Sequence, residues 1–279
     1  MQYQRVLPDM PMQAYHRTPG LSSSGLSYAA ESMAKYRCYL DGGLKFESRS
    51  LDLGSAVHLM LESSDRFYEA YQVRPEGIDK RTKAGKEAFA ELESNGKIVL
   101  DQDQWATVHT LQESFENSDD ALIKMVINSE GQNEVSVFWE EEGMTMKCRP
   151  DRIIRPSQED CEMLCRRFPS LFDVPFGIQI CVDFKTSSRR IDPKGFGYAC
   201  RDYQYPLKAS HYLAGTQADA FLWVVLETVP PYGITRYFLS NQTRQYHDAL
   251  RLSLIQQIIE CEASGVWPGI TLTDQETLL

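Results

Sequence analysis

The sequence predicts a mixed α/β protein, with a central sheet flanked by helices and a mostly helical first part of roughly 130 residues. Three observations carry this. Apolar and polar residues alternate over 134–139 and again over 144–149, the period of half-buried strands. The run Phe221-Leu222-Trp223-Val224-Val225-Leu226 is apolar throughout and too short for a buried helix. Residues up to 128, and later 241–263, instead place apolar side chains three and four apart.

In chain order, helices are expected over 22–40 (serines available as caps), 54–63, 83–93 and 102–128. Strands 134–139 and 144–149 form a hairpin around the polar, Gly-ended stretch 140–143. Trp139 then faces Met144, Val137 faces Met146 and Val135 faces Cys148. Side chains two apart share a face, so Glu134, Ser136, Lys147, Arg149 and Asp151 lie together on the opposite side. Residues 156–177 read as an inserted excursion. The strand 178–185 puts Asp183 and Lys185 on one face with Gln179 and Cys181, and Ile178, Ile180, Val182 and Phe184 on the other. Pro206 suits the first turn of a helix over 206–216. Strands 220–226 and 234–239 and a helix over 241–263 complete the chain, the last with Tyr246, Leu250, Leu254 and Ile258 in one stripe.

The 279 residues show no repeat, linker or composition break, so one domain over 1–279 is expected. No apolar stretch follows a basic start, and the longest apolar run is far short of the ~20 residues a membrane helix needs. Seven cysteines, an odd number without a Cys-x-x-Cys pair, fit a reducing, cytoplasmic setting. The net charge of −10 is unlike that of a general nucleic-acid binder. Basic residues nevertheless cluster at Lys80, Arg81, Lys83 and Lys86 and at Arg189 and Arg190, enough for a local groove on an acidic body. The 80–86 cluster reads equally well as a solvated helix start.

The chemistry concentrates in Arg149-Pro150-Asp151-Arg152 and Val182-Asp183-Phe184-Lys185. Carboxylates at the ends of neighbouring strands suit Mg²⁺ or Mn²⁺, which take hard oxygen ligands. A lysine two residues on can orient water or offset charge on a phosphoryl group. Asp-x-Lys alone is also the pattern of a solvent-facing ion-pair cluster; the Pro-Asp on a neighbouring strand favours the metal site. His58 has apolar neighbours, and pattern alone makes it a buried structural histidine.

Taken with Leu51-Asp52-Leu53-Gly54-Ser55-Ala56-Val57-His58, Arg81-Thr82-Lys83-Ala84-Gly85-Lys86, Lys147 to Ile154, and Asp202-Tyr203-Gln204-Tyr205 followed by Tyr212-Leu213-Ala214-Gly215, the chain resembles the RecE (exonuclease VIII) nucleases. These belong to the PD-(D/E)xK superfamily with lambda exonuclease and the RecB nuclease domain. The resemblance runs from Tyr15 to Ile270 and implies a restriction-endonuclease-like fold. It implies catalytic roles for Asp151, Asp183 and Lys185. It implies metal ligation by His58, Glu134, Asp151, Asp183 and the Phe184 backbone carbonyl, and phosphate contacts from Tyr205, Lys208 and Tyr212. Arg81, Lys83, Lys86 and Arg189 are the candidate DNA-binding cations. It further implies a Mg²⁺-dependent 5′-to-3′ exonuclease acting on double-stranded DNA with a free end, a ring-like homo-oligomer, a RecT-type annealing partner, and a phage or prophage setting in a bacterial host. An endonuclease of the same superfamily and a non-catalytic DNA-binding or inhibitory protein are the alternatives. Two features depart from the family: Lys208 stands where the family has glutamine, and 156–177 is long. Relatives that carry an iron–sulfur cluster use C-terminal cysteines; only Cys261 lies there, so no cluster is expected.

Overall fold

The alternating stretch around residue 142 does fold back on itself, and the hairpin is longer than its two expected strands. The computed structural model describes residues 4–8, 10–44, 49–77 and 81–270, without the side chains of 49–52 and 93. The first part comprises β1 (Gln4–Leu7), α1 (Met12–Arg17), α2 (Ser23–Glu31), α3 (Met33–Leu40), α4 (Arg49–Glu62), α5 (Ser64–Ala70), β2 (Tyr71–Val73), α6 (Lys83–Glu93), β3 (Ile98–Leu100), α7 (Gln102–Glu116) and α8 (Ala121–Asn128). The second part begins with β4 (Glu130–Asn133), β5 (Ser136–Glu141), β6 (Met144–Cys148), β7 (Arg152–Arg155), α9 (Gln158–Arg167) and β8 (Ile180–Ser187). It ends with α10 (Pro193–Asp202), α11 (Tyr205–Thr216), β9 (Ala220–Glu227), β10 (Ile234–Phe238) and α12 (Asn241–Ser264). The fold is mixed α/β, as expected.

The main sheet has the order β10-β9-β8-β7-β4, with only β8 and β9 parallel. A second sheet, β1-β5-β6, is antiparallel. β4–β5 and β6–β7 are two arms of one hairpin whose register continues from one sheet into the other. The arms cross between sheets at Glu134, which has a left-handed φ of 51°, and at Pro150-Asp151; the Glu134 N–H bonds the Asp151 carbonyl at 3.0 Å. Glu134 is therefore the break between two strands and not the start of one. The turn is Glu142-Gly143, both at positive φ, as a tight two-residue hairpin demands. Pairing is consequently Trp139 with Met146 and Val137 with Cys148, two residues away from the expected register. A slip of two leaves every side chain on its face, so Val135, Val137, Trp139, Met146 and Cys148 still share one core.

Local caps explain the other differences. The expected helix 22–40 is broken at Ser32, whose extended backbone and hydroxyl start α3 by accepting from the Lys35 N–H. The expected helix 102–128 is divided at 117–120, where Asp120 accepts from the Leu122 and Ile123 N–H groups. The excursion contains a helix, α9, capped by Ser157 and holding Cys161 and Leu164 in the core. On α12 the buried face is Arg251, Leu254, Ile255, Ile258 and Cys261, whereas Tyr246 of the expected stripe is exposed.

Helices cover both faces of the main sheet. One face, with Ile180, Val182 and Phe184, packs against α4, α7 and α8. The other, with Cys181, Phe221, Trp223 and Val225, packs against α10 and α11. α11 approaches so closely that a Cβ on Gly215 would lie 2.8 Å from a Trp139 ring carbon and 2.9 Å from Cys148 Sγ. Only glycine fits there without displacing the helix that carries Tyr205, Lys208 and Tyr212. No helix among the described residues is long and apolar enough to cross a membrane.

Candidate active site

Three carboxylates stand in a transverse row. The hairpin register sets Glu134 opposite Asp151, and extending the β7–β8 ladder by one residue beyond Arg152–Val182 sets Asp151 level with Asp183. β7 is short, so β8 runs past it. The Phe184 N–H, left without a strand partner there, donates to Asp151 Oδ2 at 2.7 Å. Lys185 forms an ion pair with Asp183, and its Nζ lies 3.4 Å from the Phe184 carbonyl.

α4 brings the histidine. At Gly54 the helix touches β8, where a Cβ would lie 3.3 Å from Thr186 Oγ1. One turn later His58 Nδ1 is 3.5 Å from Asp151 Oδ2, and the ring meets Phe184 edge-on. Helical spacing thus sends His58 to Asp151 and Phe184, beside the middle of β8. Burial, assisted by the Lys185 charge, lowers the His58 pKa to about 4, so the imidazole is neutral at pH 7. Burial and the Asp183 charge push the Asp151 carboxyl well above the usual carboxylate range. Burial works against the Lys185 charge, but Asp183 and Asp151 outweigh it and raise its pKa.

α11 closes the opposite side. The Tyr205 ring lies 5.2 Å from Lys185 Nζ and 5.8 Å from Lys208 Nζ. Burial pushes the Tyr205 phenol up to about 12. Lys208 is half-buried, and burial followed by Lys185 lowers its pKa. Tyr212 reaches the same neighbourhood, its phenol raised by burial and by the Asp183 charge. Arg189 lies in the turn after β8, where its N–H and carbonyl both bond Ser187 Oγ. Lys83 and Lys86 are exposed at the start of α6, beside Arg81. Among the described residues, no ion pair joins Lys83, Lys86 or Arg189 to the carboxylate row, and Lys80 lies outside the described residues.

The row opens into a cleft of about 930 Å³. His58, Glu134 and Asp151 form part of its lining, together with Tyr15, Lys147, Arg149 and Tyr212. The N-terminal segment is tied across it: Lys147 Nζ donates to the Tyr15, His16 and Thr18 carbonyls, and Arg149 to that of Met10. Glu62, one turn beyond His58 on α4, also faces the cleft, and burial raises its pKa. The i, i+4 spacing of His58 and Glu62 was a signal that sequence reasoning passed over. Strand alternation had already grouped Arg149 with Glu134 and Asp151, but Tyr15 and Asn133 could not be found that way, since only the β1–α1 strap and the hairpin bend bring them here.

Among the described residues, no three His, Cys, Asp or Glu side chains stand in ligating geometry around one point. Asp183 is engaged by Lys185, Glu134 by Arg149, and one Asp151 oxygen by the Phe184 N–H. The donor chemistry nonetheless fits a hard divalent cation: carboxylates, a backbone carbonyl and a neutral imidazole. Burial first, and then the Asp183 charge, raise the Asp151 pKa, and a bound cation would favour the ionised form against both.

No protein-family model matches this chain, and no curated protein does. Among solved structures, it is similar to the crystal structure of a "putative exonuclease" from Eubacterium rectale, at 14% identity and a TM-score of 0.57, over 96% of this chain and 92% of that one. The crystal structure of SSO0001 is 15% identical over 72% of this chain and 84% of that one, at a TM-score of 0.30. The first likeness spans nearly the whole of both chains and shows a shared fold.

Proposed function

We propose that the protein is a Mg²⁺- or Mn²⁺-dependent nuclease that hydrolyses phosphodiester bonds of duplex DNA from a free end. The observation that carries this is the meeting of Asp151, Asp183, Lys185 and a neutral His58 beside the middle of β8, with His58 and Asp151 lining a cleft of about 930 Å³. Asp151, Asp183 and the Phe184 carbonyl would hold the metal, with His58 and Glu134 beside them. A bound divalent ion supplies Lewis-acid stabilisation of phosphoryl charge and lowers the pKa of a coordinated water. Lys185, kept protonated by its acidic neighbours, orients the attacking water or offsets charge on the phosphoryl oxygens. The α4 backbone holds His58 against Asp151, and the Tyr205 ring lies against the Lys185 ammonium on the other side. The exonuclease name of the Eubacterium rectale structure supports the reaction class.

The RecE resemblance extends the proposal to 5′-to-3′ polarity, a ring-like homo-oligomer, and a RecT-type partner in the cytoplasm of a phage-bearing bacterium. The test is a gel with linear and closed circular duplex in Mg²⁺. Linear DNA disappears steadily to small nucleotides while nick-free circles survive. Rapid cutting of circles moves the assignment to an endonuclease.

Lys208 is part of this reading. With an ammonium beside Tyr205 and Lys185, it contacts a phosphate near the bond that is cut. Lys208→Ala is expected to lower the hydrolysis rate and reduce the salt slope of DNA binding by about one phosphate contact. Unchanged rate and slope in Lys208→Ala and Lys208→Gln would remove the residue from the site.

A further inference from the structure

Four aromatic rings form a ladder from the main sheet to the surface. Tyr237 of β10 stacks on Phe196 of α10, with centroids 4.7 Å apart and planes 11° from parallel. Phe196 meets Tyr205 at 6.0 Å and 35°, and Tyr205 meets Tyr203 at 5.6 Å and 25°. Tyr237 is half-buried, Phe196 is 6% exposed and Tyr203 is 52% exposed, so the ladder passes through the core at Phe196 and ends on an open ring. The backbone is shaped to do this. Gln204, between the two tyrosines, takes a left-handed φ of 54°, a costly conformation for a residue with a side chain. It ends α10, begins α11, and lets neighbours two apart stack.

The surroundings are cationic. Lys185 and Lys208 both lie against the Tyr205 ring, the third rung. On α10, Arg201 lies over the ring of Tyr198, which is 48% exposed. An exposed aromatic ring continuous with the candidate catalytic lysine and flanked by cations fits a nucleobase whose phosphates lie among those cations.

We propose that Tyr203 is a stacking platform for an unpaired base of the nucleic-acid strand, prolonging the Phe196–Tyr205–Tyr203 ladder. The inference rests on the proposed nuclease reading for its choice of ligand, and it assigns the site a single-strand subsite. Tyr203 acts on binding and positioning, whereas hydrolysis belongs to the carboxylate row.

The experiment uses the full chain in EDTA with short single-stranded oligodeoxynucleotides carrying 2-aminopurine at successive positions. Stacking on Tyr203 quenches the probe at one position. Tyr203→Ala is expected to remove that quench and weaken binding about 10-fold, the effect of losing one base–aromatic stack. Tyr203→Phe, which keeps the ring, is expected to restore both. Wild-type protein that fails to bind the strand, or a Tyr203→Ala variant that binds and quenches like wild type, overturns the proposal. So does Tyr203→Phe behaving like Tyr203→Ala. Hydrolysis of linear duplex in Mg²⁺ is read separately: hydrolysis with no Tyr203 effect sinks the platform alone, and no hydrolysis by wild type sinks the nuclease reading.

Discussion

Asp183→Ala is expected to lower Mg²⁺-dependent hydrolysis of linear duplex at least ~10²-fold while leaving the thermal transition in place. Asp183 is the central contact of the site, since it pairs with Lys185 and is level with Asp151 across the strand. In the proposed site, removing its carboxylate would remove a metal oxygen, and it removes the charge paired with Lys185. Asp151→Ala and Lys185→Ala should fall by similar factors, because the three act together and such losses do not add. His58→Ala and Glu134→Gln should be milder, with a higher Mg²⁺ requirement or a preference for Mn²⁺. A near-normal rate in purified Asp183→Ala would remove the two-strand site from the mechanism.

Arg251→Ala is expected to be the most destabilising of the substitutions considered, by about 3–5 kcal/mol. Arg251 is 5% exposed and makes a bidentate pair with Glu141, through Nη1–Oε2 at 2.6 Å and Nη2–Oε1 at 2.8 Å. The Trp139 indole N–H also bonds Glu141 Oε2 at 3.1 Å. The cluster fastens α12 to the tip of the central hairpin, and its loss strands a largely buried carboxylate. Removing both charges avoids that: Arg251→Met with Glu141→Leu should recover much of the loss, short of the bond that Trp139 gives up. Chemical denaturation of wild type, both single variants and the double variant measures the coupling. A single variant as stable as wild type would mean that the pair contributes nothing to the fold.

Much of this was legible in the sequence because it depends on period. Strand alternation put Asp183 and Lys185 on one face and grouped Glu134, Arg149 and Asp151 before any contact was known. The hairpin register was wrong by two residues, yet the faces survived because a strand repeats every two. What period does not encode was missed. The left-handed Glu134 carries the hairpin from one sheet to the next, and nothing in the alternation marks that crossing. Ser32 and Asp120 interrupt helices whose apolar spacing runs on regardless. Arg251 was invisible among the polar residues of α12, since its burial follows from a carboxylate about 110 positions away. For His58, local pattern favoured the core and the family resemblance favoured the site; the structure sets it against Asp151.

The most direct test of the proposed activity is release of acid-soluble nucleotides from linear duplex DNA by purified wild-type protein in Mg²⁺, with EDTA and the Asp183→Ala variant run beside it. A metal held by Asp151 and Asp183 predicts steady release in Mg²⁺ and none in EDTA or from the variant. Release that persists in EDTA or from Asp183→Ala, or no release by wild type in Mg²⁺ or Mn²⁺, would contradict it.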